Sequence, residues 1–136
     1  MVEKEQFIKD HFPEVDPGRT PCGNKVLVQF MWVRSTHNGI ILSQETKDIN
    51  QNATVIGRIV KVGPIAYRHR ETGDAWKEGA WAEVGDIVLV ARFGGFNRVN
   101  IPIPGEKDEA VMFATYNDFD VVDKLEGQFE HYNKLL

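Results

Sequence analysis

"KVLVQFMWV", residues 25–33, sets Val26, Val28, Phe30 and Trp32 on one side of an extended chain and Leu27, Gln29, Met31 and Val33 on the other. Apolar groups on both sides at a period of two read as a strand buried on most of both faces. Further strands follow it. "TVIGRIVKVG", residues 54–63, is β-branched with Gly57 as an expected bulge, and "GDIVLVAR", residues 85–92, is opened by a Gly-Asp turn. "FGGF", residues 93–96, reads as a tight turn, "RVNIPI", residues 98–103, as a short strand interrupted by Pro102, and "EAVMFAT", residues 109–115, as a last long strand before "DFDVV". Short strands, frequent turns and no internal helix pattern predict an all-β fold, a small barrel.

Two connections stand out. Residues 34–53 are mostly polar, and the run exceeds the roughly 12–15 residues beyond which structureless loops are uncommon and usually functional. Inside it, "NGIIL" places Ile40, Ile41 and Leu42 together after Gly39. The second, residues 64–82, carries Tyr67, Trp76 and Trp81 around Thr72-Gly73-Asp74, and reads as a projecting hairpin with its turn there.

The ends differ from the middle. Residues 1–20 join a short helix-like piece, with Phe7, Ile8 and Phe12 apolar, to a linker containing Pro and Gly. In residues 123–136, Leu125, Phe129, Tyr132 and Leu136 recur at steps of four, three and four, one face of an amphipathic helix.

Composition narrows the function. A chain of 136 residues, 42% hydrophobic and 26% charged, is long enough for one domain with a real core. A net charge of −4 disfavours a phosphate-binding surface, so nucleic acid is not an expected partner. No apolar run approaches the about 20 residues that cross a bilayer, so no membrane span is expected. The start "MVEKEQFIKD" lacks a secretory pattern and the single Cys22 cannot form an intrachain disulfide, which points to a reducing cytoplasm. The Asn52 sequon is accordingly read as chance.

Catalytic chemistry finds no support. His11, His37, His69 and His131 have no ligand spacing among themselves or with Cys22, whereas a closed zinc site needs about four such ligands. Cys22 beside Pro21 reads as a small packed residue, the carboxylates lie mostly in turns and ends, and "FGGF" precedes no helix that would cradle a phosphate. The expectation is a protein that is not an enzyme and needs no metal or other cofactor.

The order "KVLV", "NGIIL", "GRIVKVG", a hairpin, "VGDIVLV" and "EAVMFATYNDFDVV" resembles the GroES co-chaperonin family over about Pro21 to Val122. The resemblance implies a GroES-like barrel at 21–122, a mobile loop at 34–53, a roof hairpin at 64–82, an N-terminal extension at 1–20 and a C-terminal amphipathic extension at 123–136. Gly39, Ile40, Ile41 and Leu42 would be the chaperonin-binding plug, although the triplet could instead fold back on its own barrel as a short strand. Tyr67, Trp76 and Trp81 would lie in the roof, packing either between neighbouring subunits or within their own hairpin. Val26 and Val28 of one subunit would meet Phe119, Val121 and Val122 of the next in a heptameric ring.

The function so implied is a lid over a GroEL-type chaperonin that binds ATP itself and folds an unfolded client. The long ends and the apolar Phe30, Met31 and Trp32, where family members commonly carry charge, depart from the pattern. Such divergence would suit a phage-encoded member working in a host bacterial cytoplasm on a capsid protein. The rivals are a zinc dehydrogenase on the same barrel, disfavoured by the missing cysteine set and dinucleotide-binding half, and a virion or scaffold protein that kept the barrel without chaperonin binding.

Overall fold

A computed structural model describes residues 3–33, 36–37, 40–41, 56–91 and 94–132. In chain order the elements are α1 (Lys4–His11), β1 (Lys25–Phe30), β2 (Thr36–His37), β3 (Ile40–Ile41), β4 (Ile56–Val62), β5 (Ile87–Val90), β6 (Phe96–Pro102), β7 (Ala110–Asn117), β8 (Val121–Lys124) and the single helical turn α2 (Phe129–Tyr132). Six strands form one sheet in the order β6-β7-β1-β4-β5-β8, and every pairing is antiparallel. The expected β-rich fold is therefore present. Among the described residues no ladder joins the outer strands β6 and β8, so both are sheet edges.

β1 is central because its sequence suits burial on both faces. Val26, Val28 and Phe30 enter a core with Ile59, Val88, Val90, Ala114, Tyr116 and Val121, closed over by Tyr67 and Ala82. On its opposite face Leu27 packs with Ile103, Val111 and Phe113, against which Val15, Trp32 and Val60 lie. Each fully buried side chain of this size contributes about 1.5–3 kcal/mol.

The apolar Met31 and Trp32 find their explanation in the N-terminal extension. Phe7 and His11, one helical turn apart, are both buried, and Met31 packs with Phe7, Phe12, Ile56, Ile87, Leu125 and Phe129. The Trp32 N–H donates to the His11 carbonyl at 2.8 Å, and the Trp32 indole donates to Glu109 Oε2 at 3.0 Å. The linker continues over the same face, where Gln29 Nε2 donates to the Pro13 carbonyl at 2.8 Å and Lys61 Nζ to the Arg19 carbonyl at 3.0 Å. A charged residue at position 31 would lose its solvent beneath this cover.

Several expectations need correcting. Gly57 is not a bulge: it pairs in register with Phe30 and Val88, and a Cβ there would collide with the Val28 side chain. The bulge lies three residues on, where the register shifts between Leu27 and Val28 opposite Lys61 and Ile59, leaving Val60 as the extra residue. The 64–82 segment is not a regular hairpin. One bridge, Arg68 to Ala75, closes a turn in which Gly73 has φ 79°, so the turn falls at Thr72-Gly73-Asp74 as expected, but the base is core. Residues 123–136 do not begin as a helix: β8 runs to Lys124 on β5, and helix appears only at Phe129–Tyr132, with Leu136 outside the described residues. β-branched Val121 and Val122 favour the strand.

Candidate functional site

The long connection, residues 31–55, leaves the sheet between two strands that touch. β1 and β4 pair directly, and the Met31 N–H donates to the Ile56 carbonyl at 3.0 Å, so both ends of residues 32–55 are held at one point on the sheet. Beyond that point Thr36–His37 pairs antiparallel with Ile40–Ile41, apart from the main sheet. The two residues between these strands are Asn38-Gly39, the dipeptide that most favours a tight hairpin, a signal the sequence reading passed over. Ile40 and Ile41 thus pair within their own segment and not with the main sheet. Gly39 and Leu42, the rest of the expected plug, lie outside the described residues.

A second feature is the aromatic base of the 64–82 connection. Trp76 stands edge-on to Tyr67 with centroids 5.4 Å apart, and Trp81 lies 5.1 Å from Trp76 and 5.9 Å from Tyr67. Tyr67 is only 3% exposed, while Trp76 and Trp81 are half-buried against the same core. The three expected roof residues are brought together as a cover over one face of their own sheet.

The Tyr67 backbone is pinned by Asp118, a buried carboxylate that the sequence reading missed. Burial pushes the Tyr67 phenol far above its ordinary range, and the charges of Asp118 and Asp86 push it further. Burial also raises Tyr116, against the lowering effect of Arg98 beside it.

The expected interface residues divide. Val26 and Val28 are 0% exposed, and β1 is paired on both sides, so an interface role for them is corrected: their side chains and backbone are committed to their own chain. Val121 is likewise in the core. Phe119 and Val122, by contrast, are 58% and 63% exposed. Val122 belongs to the edge strand β8 and lines a shallow groove of about 230 Å³ with Trp81, Val121, Asp123 and Lys124. An unpaired edge with large exposed apolar side chains is suited to receiving another strand.

Among the described residues no three His, Cys, Asp or Glu side chains are grouped to hold a metal ion. No helix among them is long and apolar enough to cross a membrane. The chain matches no known family model and no curated protein.

Proposed function

We propose that this chain is one subunit of a ring-shaped co-chaperonin, a lid that docks on an ATP-driven GroEL-type chaperonin through residues 34–53 and encloses client protein for folding. One topological observation carries the reading. β1 and β4 are hydrogen-bonded neighbours that a hairpin of about 2–5 residues could join, yet residues 31–55 connect them. A detour that the fold does not require is retained for use outside the fold, and loops on rigid scaffolds are where binding groups concentrate.

The energetics suit a multivalent plug. Burying Ile40, Ile41 and Leu42 in an apolar groove contributes about 1.5–3 kcal/mol each, while ordering the loop backbone costs roughly 1–2 kcal/mol per residue. One loop alone binds weakly. A ring presents several at once, and effective concentration converts weak contacts into firm, reversible capping. The free edge of β8 with Phe119 and Val122 supports head-to-tail assembly, which closes into a ring when the rotation permits. The barrel, the roof and the heptamer belong to this proposal, as do a capsid protein as client and a bacterial cytoplasm as its place of action. The lid itself performs no chemistry; ATP belongs to the partner.

The test is size-exclusion chromatography with light scattering of the purified protein and a bacterial chaperonin, with and without ATP. Co-elution of an oligomer that depends on nucleotide is the expected result. An oligomer that associates with none of several chaperonins would overturn the lid and favour a virion or scaffold role.

A further inference from the structure

The two terminal segments meet at the place where the docking segment leaves the sheet. Phe7 of α1 and Phe129 of α2 lie with ring centroids 5.2 Å apart, and Phe7 also contacts His11 at 4.9 Å and Phe12 at 6.0 Å. This aromatic knot is continuous with Met31 on one side of the 34–55 segment and Ile56 on the other, with Val33 packed against it. Two polar contacts lock the knot to the chain at that point. The Trp32 N–H donates to the His11 carbonyl at 2.8 Å, and His11 Nδ1 lies 3.1 Å from the Trp32 carbonyl.

We infer that α1, α2 and the residues around them form one clasp that holds both roots of the docking segment, and that Phe7, His11 and Phe129 are positioning residues for docking. The inference rests on the co-chaperonin reading for what the segment binds, but the clasp itself stands on the contacts above. Residues 31–33 lie beyond the end of β1: Met31 keeps one backbone bond to β4, while Trp32 and Val33 have no place in the strand ladder. Met31 is held by Ile56 and the knot, Trp32 by His11 and Glu109, and Val33 by the knot. Each root residue held in advance is one whose ordering is not charged to binding. Releasing one such residue per loop should weaken docking by about tenfold for that loop, since ordering a residue carries a free energy of that scale. In a ring the loss is repeated in every subunit.

The clasp also joins the two ends of the chain in one device. α1 contributes Phe7 and His11, and the chain after β8 contributes Leu125 and Phe129. Loosening either end should therefore produce the same effect on the segment between β1 and β4.

The experiment uses the full chain with Phe129→Ala, the milder Phe129→Leu in case the first does not fold, and Phe7→Leu at the other end. Amide hydrogen exchange is measured at Met31, Trp32, Val33 and Ile56, with Val28 and Ala114 in the sheet centre as reference, and affinity for a GroEL-type chaperonin is measured in parallel. The expected result is exchange at least about tenfold faster at the roots with the sheet centre unchanged, and weaker docking in proportion, for changes at either end. Unchanged root exchange overturns the clasp, as does acceleration spread evenly over roots and sheet. Faster roots with unaltered chaperonin affinity overturn its role in docking. If the unsubstituted protein binds no chaperonin, the co-chaperonin reading fails, and the exchange result alone still decides whether the clasp holds the roots.

Discussion

The backbone N–H of Tyr67 donates to Asp118 Oδ2 at 2.9 Å, joining residues 51 positions apart. Tyr67 sits at φ 59°, a left-handed conformation uncommon for a residue with a Cβ, so this bond holds a strained turn against the core. Asp118→Ala orphans a buried donor and should cost about 1.5–3 kcal/mol. Asp118→Asn keeps an acceptor and should cost less. Urea denaturation followed by tryptophan fluorescence, to which Trp76 and Trp81 at the affected base contribute beside Trp32, checks the ranking.

Tyr67 itself should behave in the opposite sense. Its hydroxyl is buried without a hydrogen-bond partner, so Tyr67→Phe removes an unsatisfied group and should leave stability at pH 7 unchanged or raise it by about 1 kcal/mol.

The same phenol sets an alkaline limit. Burial first, then Asp118 and Asp86, hold the Tyr67 proton on in the folded chain above the value of about 10 at which an unfolded tyrosine releases it. The native state then binds more protons than the unfolded one, so stability is intact below about pH 10 and falls as the pH rises toward the folded value. Tyr116, also raised by burial, acts in the same direction. Tyr67→Phe should flatten the decline, which thermal melts taken between about pH 9 and 11 will show.

The interior strand pairing makes Gly57 intolerant of even a methyl group. A Cβ there would overlap Val28 Cγ1 and come within 3.2 Å of the Gln29 carbonyl oxygen, at a position with both neighbouring strands in place. Gly57→Ala should cost about 1–3 kcal/mol by overpacking, and a paired Val28→Ala should recover part of it. A double-mutant cycle in denaturant measures the coupling.

Much of the scaffold was legible because period-two patterning and β-branching survive in a single sequence. β1, β4, β5 and β7 were all readable on that ground. The Thr72-Gly73-Asp74 turn was legible from its turn residues. What escaped were relations between distant positions. Gly57 looks like a bulge locally, and only the Val28 side chain across the ladder gives it another cause. Val26 and Val28 were carried over to a subunit contact, yet pairing on both sides of β1 commits them inward. Asp118 in "NDFD" reads as a turn carboxylate, and nothing local announces its bond to Tyr67. The tail misled because a 3.6 spacing of Leu125, Phe129 and Tyr132 is met here by a strand end and one helical turn that converge on Phe7.

Assembly and folding should separate cleanly at β8 and the turn before it, which carries Phe119. Phe119→Lys and Val122→Lys change exposed positions and should alter chain stability by no more than about 0.5 kcal/mol while dissociating the proposed ring. Val26→Ala, at a fully buried site, should destabilise the chain by about 2 kcal/mol with no selective effect on assembly. Light scattering beside thermal denaturation distinguishes the two classes.

Replacing Ile40, Ile41 and Leu42 together by Ala should abolish chaperonin capture and leave the sheet intact, because Ile40 and Ile41 pair only with Thr36 and His37 among the described residues. Near-ultraviolet circular dichroism should be unchanged, and nucleotide-dependent co-elution should disappear.

The direct pairing of β1 with β4 at the roots of residues 31–55 also decides how the chain withstands tension. A pull on the connection between them would draw both strands the same way along their axes, and Met31 and Ile56, bonded to each other, would move together. The strain then passes sideways into β7 and β5, whose hydrogen bonds lie across the strands. Those bonds are sheared as a set and not peeled one after another. On the co-chaperonin proposal, a subunit gripped this way would be tugged by a moving partner without unravelling from the point of attachment.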